Sequence, residues 1–152
     1  MSILELCGLF QNINPATLKA VEAISEKQLY APGAFIFQSG EPAQHLYILE
    51  EGRVRLRFTD GGQVAYTLNH PGEVFGWSSM VNQSTYTLSA QTVSDVSTLR
   101  LESHKLEEIL SADPTSGMIV YRQLADFISQ RLSNSYKATV FVHGERSSLS
   151  YG

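Results

Sequence analysis

The sequence predicts a mainly β domain, a sandwich or barrel, carried between flanking helices. Three observations predict it. Short apolar stretches recur at nearly even spacing between Tyr30 and Leu101, each closed by a turn containing Gly or Pro. That is the pattern of packed antiparallel sheets, not of a βαβ sheet. One stretch alternates strictly, with Val54, Leu56 and Phe58 on one face and Arg53, Arg55 and Arg57 on the other, the period of a half-buried strand. On either side of this region the apolar residues return to helical spacing.

Residues 1–30 read as an N-terminal helical segment. Ile3, Leu6, Cys7 and Phe10 predict a short helix that ends near Gln11-Asn12. Asn14-Pro15 starts the next one, Asn as the cap and Pro in the first turn. Leu18, Val21 and Ile24 then share one side, with Lys19, Glu22 and Glu26 on the other. Residues 31–102 form the β region. Ala31-Pro32-Gly33 turns into a strand at Phe35–Phe37, and Gly40–Ala43 turns into one at Leu46–Leu49, closed by Glu50-Glu51-Gly52. Beyond the alternating strand, Asp60-Gly61-Gly62 predicts a hairpin turn. It returns the chain through Val64, Tyr66 and Leu68. Strands from Thr85 to Thr92 and from Val96 to Leu101 complete the region.

Residues 103–142 read as two helices. Ser103 is placed to cap the first, which carries Leu106, Ile109 and Leu110. Asp113-Pro114 caps the second, running from about Thr115 to Val140. Its apolar positions are Met118, Tyr121, Leu124, Phe127 or Ile128, Leu132, and Ser135 or Tyr136, close to a heptad repeat. One small β domain cannot cover a stripe that long, so a homodimer through this helix is expected. Residues 143–152 carry little apolar content and read as a flexible tail.

With 152 residues, 43% of them hydrophobic, the chain is long enough for one core. No apolar run approaches the roughly 20 residues of a membrane span. No charged leader precedes an apolar stretch at the N-terminus, and a lone Cys7 suits a reducing compartment. A cytoplasmic protein with no membrane partner is the expectation. The net charge of −4 lacks the basic footprint of a nucleic-acid binder. His45, His70, His104 and His143 are scattered without ligand spacing, so no metal is expected. No catalytic residues are assigned: there is no Gly-x-Ser-x-Gly elbow, carboxylate pair or phosphate-binding Lys loop.

The stretch from Pro71 to Ala90 is the most informative. Gly72 and Gly76 permit backbone geometries that other residues resist, and Ser78 and Ser79 suit the opening of a helical turn. A helix start beside a Gly favours an anion. Taken alone, the same residues read first as a tight surface turn between two strands. The chain around them decides between these. Its landmarks are Leu9-Phe10, Tyr30-x-Pro32-Gly33-x-x-Ile36-Phe37, Gly40-Glu41-Pro42-Ala43, Leu46-Tyr47-Ile48-Leu49-x-x-Gly52-x-Val54, and Pro71-Gly72-Glu73-Val74-Phe75-Gly76, closed by Ser89-Ala90. In order and spacing, from about Leu9 to Val140, the chain resembles the cyclic nucleotide-binding domain of the cyclic-AMP receptor protein family, which includes the catabolite activator and fumarate-nitrate regulator proteins.

The resemblance implies a double-stranded β-helix (jelly roll or β-roll) and a ligand-sensing regulatory function. It makes Phe75, Gly76, Trp77, Ser78, Ser79, Thr87, Leu88, Ser89 and Ala90 the phosphate-binding cassette by position. It places Ser135 and Tyr136 near the base end of the pocket. In the family's usual cassette an acid follows the second Gly and holds the ribose, and an Arg precedes the Ser/Thr-Ala pair and neutralises the phosphate. Here Trp77 and Leu88 stand at those places. Leu88 offers the phosphate no charge-assisted partner, and an unpaired buried charge costs several kcal/mol. Three readings follow: a different small ligand beside the Trp77 ring, a pocket filled by its own side chains, or a nucleotide held by a substitute cation. Arg53, Arg55 and Arg57 are candidates for that cation, although alternation turns them outward. No other cofactor is expected. The family's transcription factors continue into a helix-turn-helix domain; this chain stops about ten residues after Val142, and direct DNA binding is not expected. A protein partner is expected instead. The alternative function is a ligand-free dimeric interaction module that keeps only the fold.

Overall fold

The computed structural model describes residues 2–58, 63–82 and 84–143. The expected hairpin turn at Asp60-Gly61-Gly62 and the expected tail lie outside the described residues, apart from His143.

Helix α1 (Ile3–Leu6) is followed by a 3-10 turn at Gly8–Phe10 and by α2 (Pro15–Ile24). Asn14 caps α2 as its sequence implies, its Oδ1 accepting from Ala16 N–H at 2.9 Å. Eight strands come next: β1 (Glu26–Tyr30), β2 (Phe35–Phe37), β3 (His45–Glu51), β4 (Val54–Arg57), β5 (Val64–Leu68), β6 (Val74–Phe75), β7 (Ser89–Thr92) and β8 (Val96–Glu102). A 3-10 turn, Trp77–Met80, lies between β6 and β7, and α3 (Ser103–Ala112) and α4 (Pro114–His143) end the described chain. The strands form two four-stranded sheets, ordered β1-β8-β3-β6 and β2-β7-β4-β5, and every strand pairing is antiparallel.

The apolar run at β3 shows how the layers are assembled. Leu46 and Ile48 join Leu101 and Val74 under the helices, with Leu4, Phe10, Val21, Leu106 and Leu124. Tyr47 and Leu49 point the other way and join Phe37, Leu56, Leu68 and Phe75 between the sheets. A strand buried on both faces reads as a continuous apolar run rather than an alternation. Cys7 belongs to the helical layer and is fully buried; burial pushes its thiol pKa up to about 11, so it is a core residue rather than a reactive one.

Four local expectations change. Glu26–Tyr30, read from sequence as the end of the helical segment, is strand β1, paired from Glu26↔Arg100 to Tyr30↔Val96. Long-range pairing overrides a weak local preference there. The strand expected from Thr85 is regular only from Ser89; before it, Thr85 forms an isolated bridge with Pro42. Phe58 leaves the pattern of Val54 and Leu56 and is 51% exposed, because β4 ends at Arg57. Ser103 does not cap α3: Glu102 is the cap residue, and the Ser103 hydroxyl donates to Gln44 O at 3.2 Å.

Helix α4 meets α3 closely at Gly117, where an added Cβ would lie 2.8 Å from Leu110 O. Val120 and Leu124 face the core, while Met118, Tyr121 and Leu132 are 61%, 37% and 50% exposed. Leu124 therefore leaves the expected stripe; with Ala125 and Ile128, which also packs partly against the core, the exposed residues step by three and four along one line, the spacing of a coiled-coil seam.

Candidate functional site

The site is built around the end of β6. Gly76 has φ +77°, and a Cβ on it would stand 3.1 Å from both His45 O and the Tyr47 ring. Only Gly makes this turn at that distance. The 3-10 turn Trp77–Met80 follows with no side-chain cap. Instead of capping it, the Ser79 hydroxyl donates back to Gly76 O at 2.9 Å.

Phe75, Gly76, Trp77 and Ser78 form one wall of a cavity of about 50 Å³. Tyr86, Thr87 and Leu88 form the opposite wall, and Phe37 and Leu56 line it from the sheets. The aromatic residues stiffen it. Phe37 and Tyr86 stack with ring centroids 3.8 Å apart, and Tyr47 and Phe75 stack at 5.3 Å. The Tyr86 hydroxyl is fixed by donating to His45 O at 2.7 Å and accepting from His45 N–H at 3.1 Å.

Among the described residues one cation lines the cavity, and it comes from α4. The Arg131 guanidinium carbon lies 4.0 Å from the centroid of the Tyr66 ring and 4.5 Å from that of Trp77. Each such contact contributes roughly 0.5–2 kcal/mol. Arg131 Nη1 is buried with no hydrogen-bond partner among the described residues. Burial pulls the Arg131 pKa down, while Tyr66 and the Glu73 carboxylate act to raise it; the guanidinium keeps its charge regardless.

The structure brings Trp77 and Leu88 to one cavity along with Phe75, Gly76, Ser78 and Thr87. Ser79, Ser89 and Ala90 do not line it. Ser89 Oγ accepts from Ser39 N–H at 2.9 Å, and Ala90 is packed between the sheets. Ser135 and Tyr136 are not lining residues either: the cavity meets α4 one turn earlier, at Arg131. Arg53, Arg55 and Arg57 are also absent from the lining, since alternation on β4 turns Leu56 inward. Nothing in the sequence pattern gives Arg131 a role in the site. Tyr66 and Tyr86 were visible only as strand residues.

A family model, the cyclic nucleotide-binding domain, matches residues 27–113. A CRP-like cAMP-activated global transcriptional regulator of Mycobacterium tuberculosis is 27% identical over 142 residues, covering 92% of this chain and 63% of the relative. The cyclic AMP receptor protein of Thermus thermophilus is 31% identical over 126 residues, covering 82% of this chain and 56% of the relative. The chain therefore spans less than two thirds of either relative. A crystal structure of a cyclic nucleotide-binding domain from Methylobacillus flagellatus superposes with a TM-score of 0.79 at 17% identity, over 97% of this chain and 83% of that one, a likeness of fold. No helix among the described residues is long and apolar enough to cross a membrane.

Proposed function

Because the chain belongs to the cyclic nucleotide-binding domain family, we propose that it is a regulatory sensor domain that does not take cyclic AMP in the family's usual pose and binds another small ligand in the cavity between Trp77 and Leu88. One observation carries this reading. The two residues that replace the cassette's acid and Arg line the same cavity, and the one cation that lines it among the described residues, Arg131, belongs to the long helix. The proposed ligand contacts are Phe75, Gly76, Trp77, Ser78, Thr87, Leu88 and Arg131. A ligand that draws Arg131 from the Trp77 ring would shift α4, a population shift between two arrangements. The signal would pass to a protein partner through the helix.

A ligand that binds only the folded state raises stability by RT ln(1 + [L]/Kd), about 2.7 kcal/mol at 100 times Kd. Thermal midpoints measured against a panel of metabolites test the sensor reading. At least one compound should raise the midpoint in wild type and much less in Leu88→Asp. A flat panel favours the ligand-free interaction module, which the small cavity of about 50 Å³ also supports.

The exposed line of Met118, Tyr121 and Leu132 supports a homodimer through α4. Met118→Glu with Leu132→Glu should convert a dimer to a folded monomer in sedimentation equilibrium. A wild-type mass of one chain would contradict the dimer.

A further inference from the structure

Arg131 borders a second cavity of about 160 Å³, which Tyr66, Glu73, Gln130 and Asn134 line with polar atoms. The first cavity, of about 50 Å³, is walled by the apolar side chains of Phe37, Leu56, Phe75 and Leu88. It is open on one side, so its walls seat one end of a ligand rather than enclose a whole one.

Charge narrows the class. Among the described residues Arg131 is the one Lys or Arg lining either chamber; Glu73 lines the larger one, whereas the apolar chamber has no carboxylate in its lining to balance Arg131. Its guanidinium rests on two aromatic faces, and it makes no ion pair among the described residues. The Glu73 carboxylate acts on Arg131 through space without pairing with it; its Oε2 accepts from Asn69 N–H and His70 N–H at 2.9 Å each. A buried guanidinium nitrogen without an acceptor favours a planar carboxylate, which offers two oxygens in the matching fork. Inorganic anions lack the apolar part that four aliphatic and aromatic walls would bury.

We propose that the two chambers beside Arg131 bind a short-chain carboxylate, its charge held by Arg131, its alkyl end in the apolar chamber and any polar substituent in the polar one. This rests on the reading of the cavity as a ligand site. Carboxylate binding draws the guanidinium away from Trp77, the only tryptophan of the chain, so occupancy is read directly in its fluorescence.

The test titrates the full chain with butyrate and with butyramide, its uncharged counterpart. Butyrate is expected to give a saturable Trp77 response at least ten-fold tighter than butyramide. Arg131→Gln, its fold checked by circular dichroism, should lose that preference. Leu88→Asp, which places a carboxylate in the chamber without altering α4, should abolish the butyrate response even where Arg131→Gln fails to fold. Equal binding of both probes, or a butyrate response unchanged in Leu88→Asp or in folded Arg131→Gln, overturns the carboxylate class and leaves the ligand site standing. Absence of any response to either probe overturns the carboxylate class, and the thermal-midpoint panel then decides whether the sensor reading falls with it.

Discussion

Trp77→Glu combined with Leu88→Arg is expected to raise the affinity for cyclic AMP by at least about 100-fold over wild type. Both residues line one cavity, so the pair restores the acid and the cation of the family's usual cassette at facing positions. An Arg gives the phosphate a charge-assisted, bidentate partner. Leaving that charge buried and unpaired costs several kcal/mol, and about 3 kcal/mol is already two decades in Kd. Trp77→Glu also removes one of the two rings on which Arg131 rests, which opens the cavity toward α4. Titration calorimetry on the double variant and both single variants measures the gain. Leu88→Arg alone should recover part of it. A folded double variant with no measurable heat would show that the remaining walls, not these two residues, decide against nucleotide.

Phe75→Ala is expected to destabilise the domain by about 3–5 kcal/mol, the range for deleting a buried aromatic ring. Phe75 is fully buried. It stacks on Tyr47 and lies 6.1 Å from the Phe37 ring, and it also lines the ligand cavity. Few rings can move in to fill the gap, because Phe37 is already stacked on Tyr86 and Tyr86 is anchored to His45 through both hydrogen bonds. Urea denaturation should show a lower midpoint with an unchanged slope. A loss below about 1 kcal/mol would mean that the sheets collapse onto the gap.

Where local pattern and tertiary burial agree, the sequence is readable. Asn14-Pro15 caps α2, Asp113-Pro114 opens α4, and the apolar run Leu46–Leu49 becomes the strand shared by both core layers. Strand β1 was hidden because Glu26–Tyr30 has its partner some seventy residues away in β8, and nothing in E-K-Q-L-Y alternates cleanly enough to announce it. The site divides the same way. Trp77 and Leu88 were identified by position within a motif and meet in one cavity. Arg131 was not assigned to it, since its place depends on how α4 packs over the sheets. A helix advances one turn in 3.6 residues, and that step separates Arg131 from the expected Ser135 and Tyr136. A guanidinium held between two aromatic rings leaves no local signature in the chain.

The proposal at the centre is a family scaffold whose ligand specificity is set apart by Trp77 and Leu88. Calorimetric titration of the wild-type chain with cyclic AMP and cyclic GMP tests it most directly. Neither nucleotide is expected to bind saturably at micromolar concentrations; a Kd in the micromolar range for cyclic AMP would contradict the proposal.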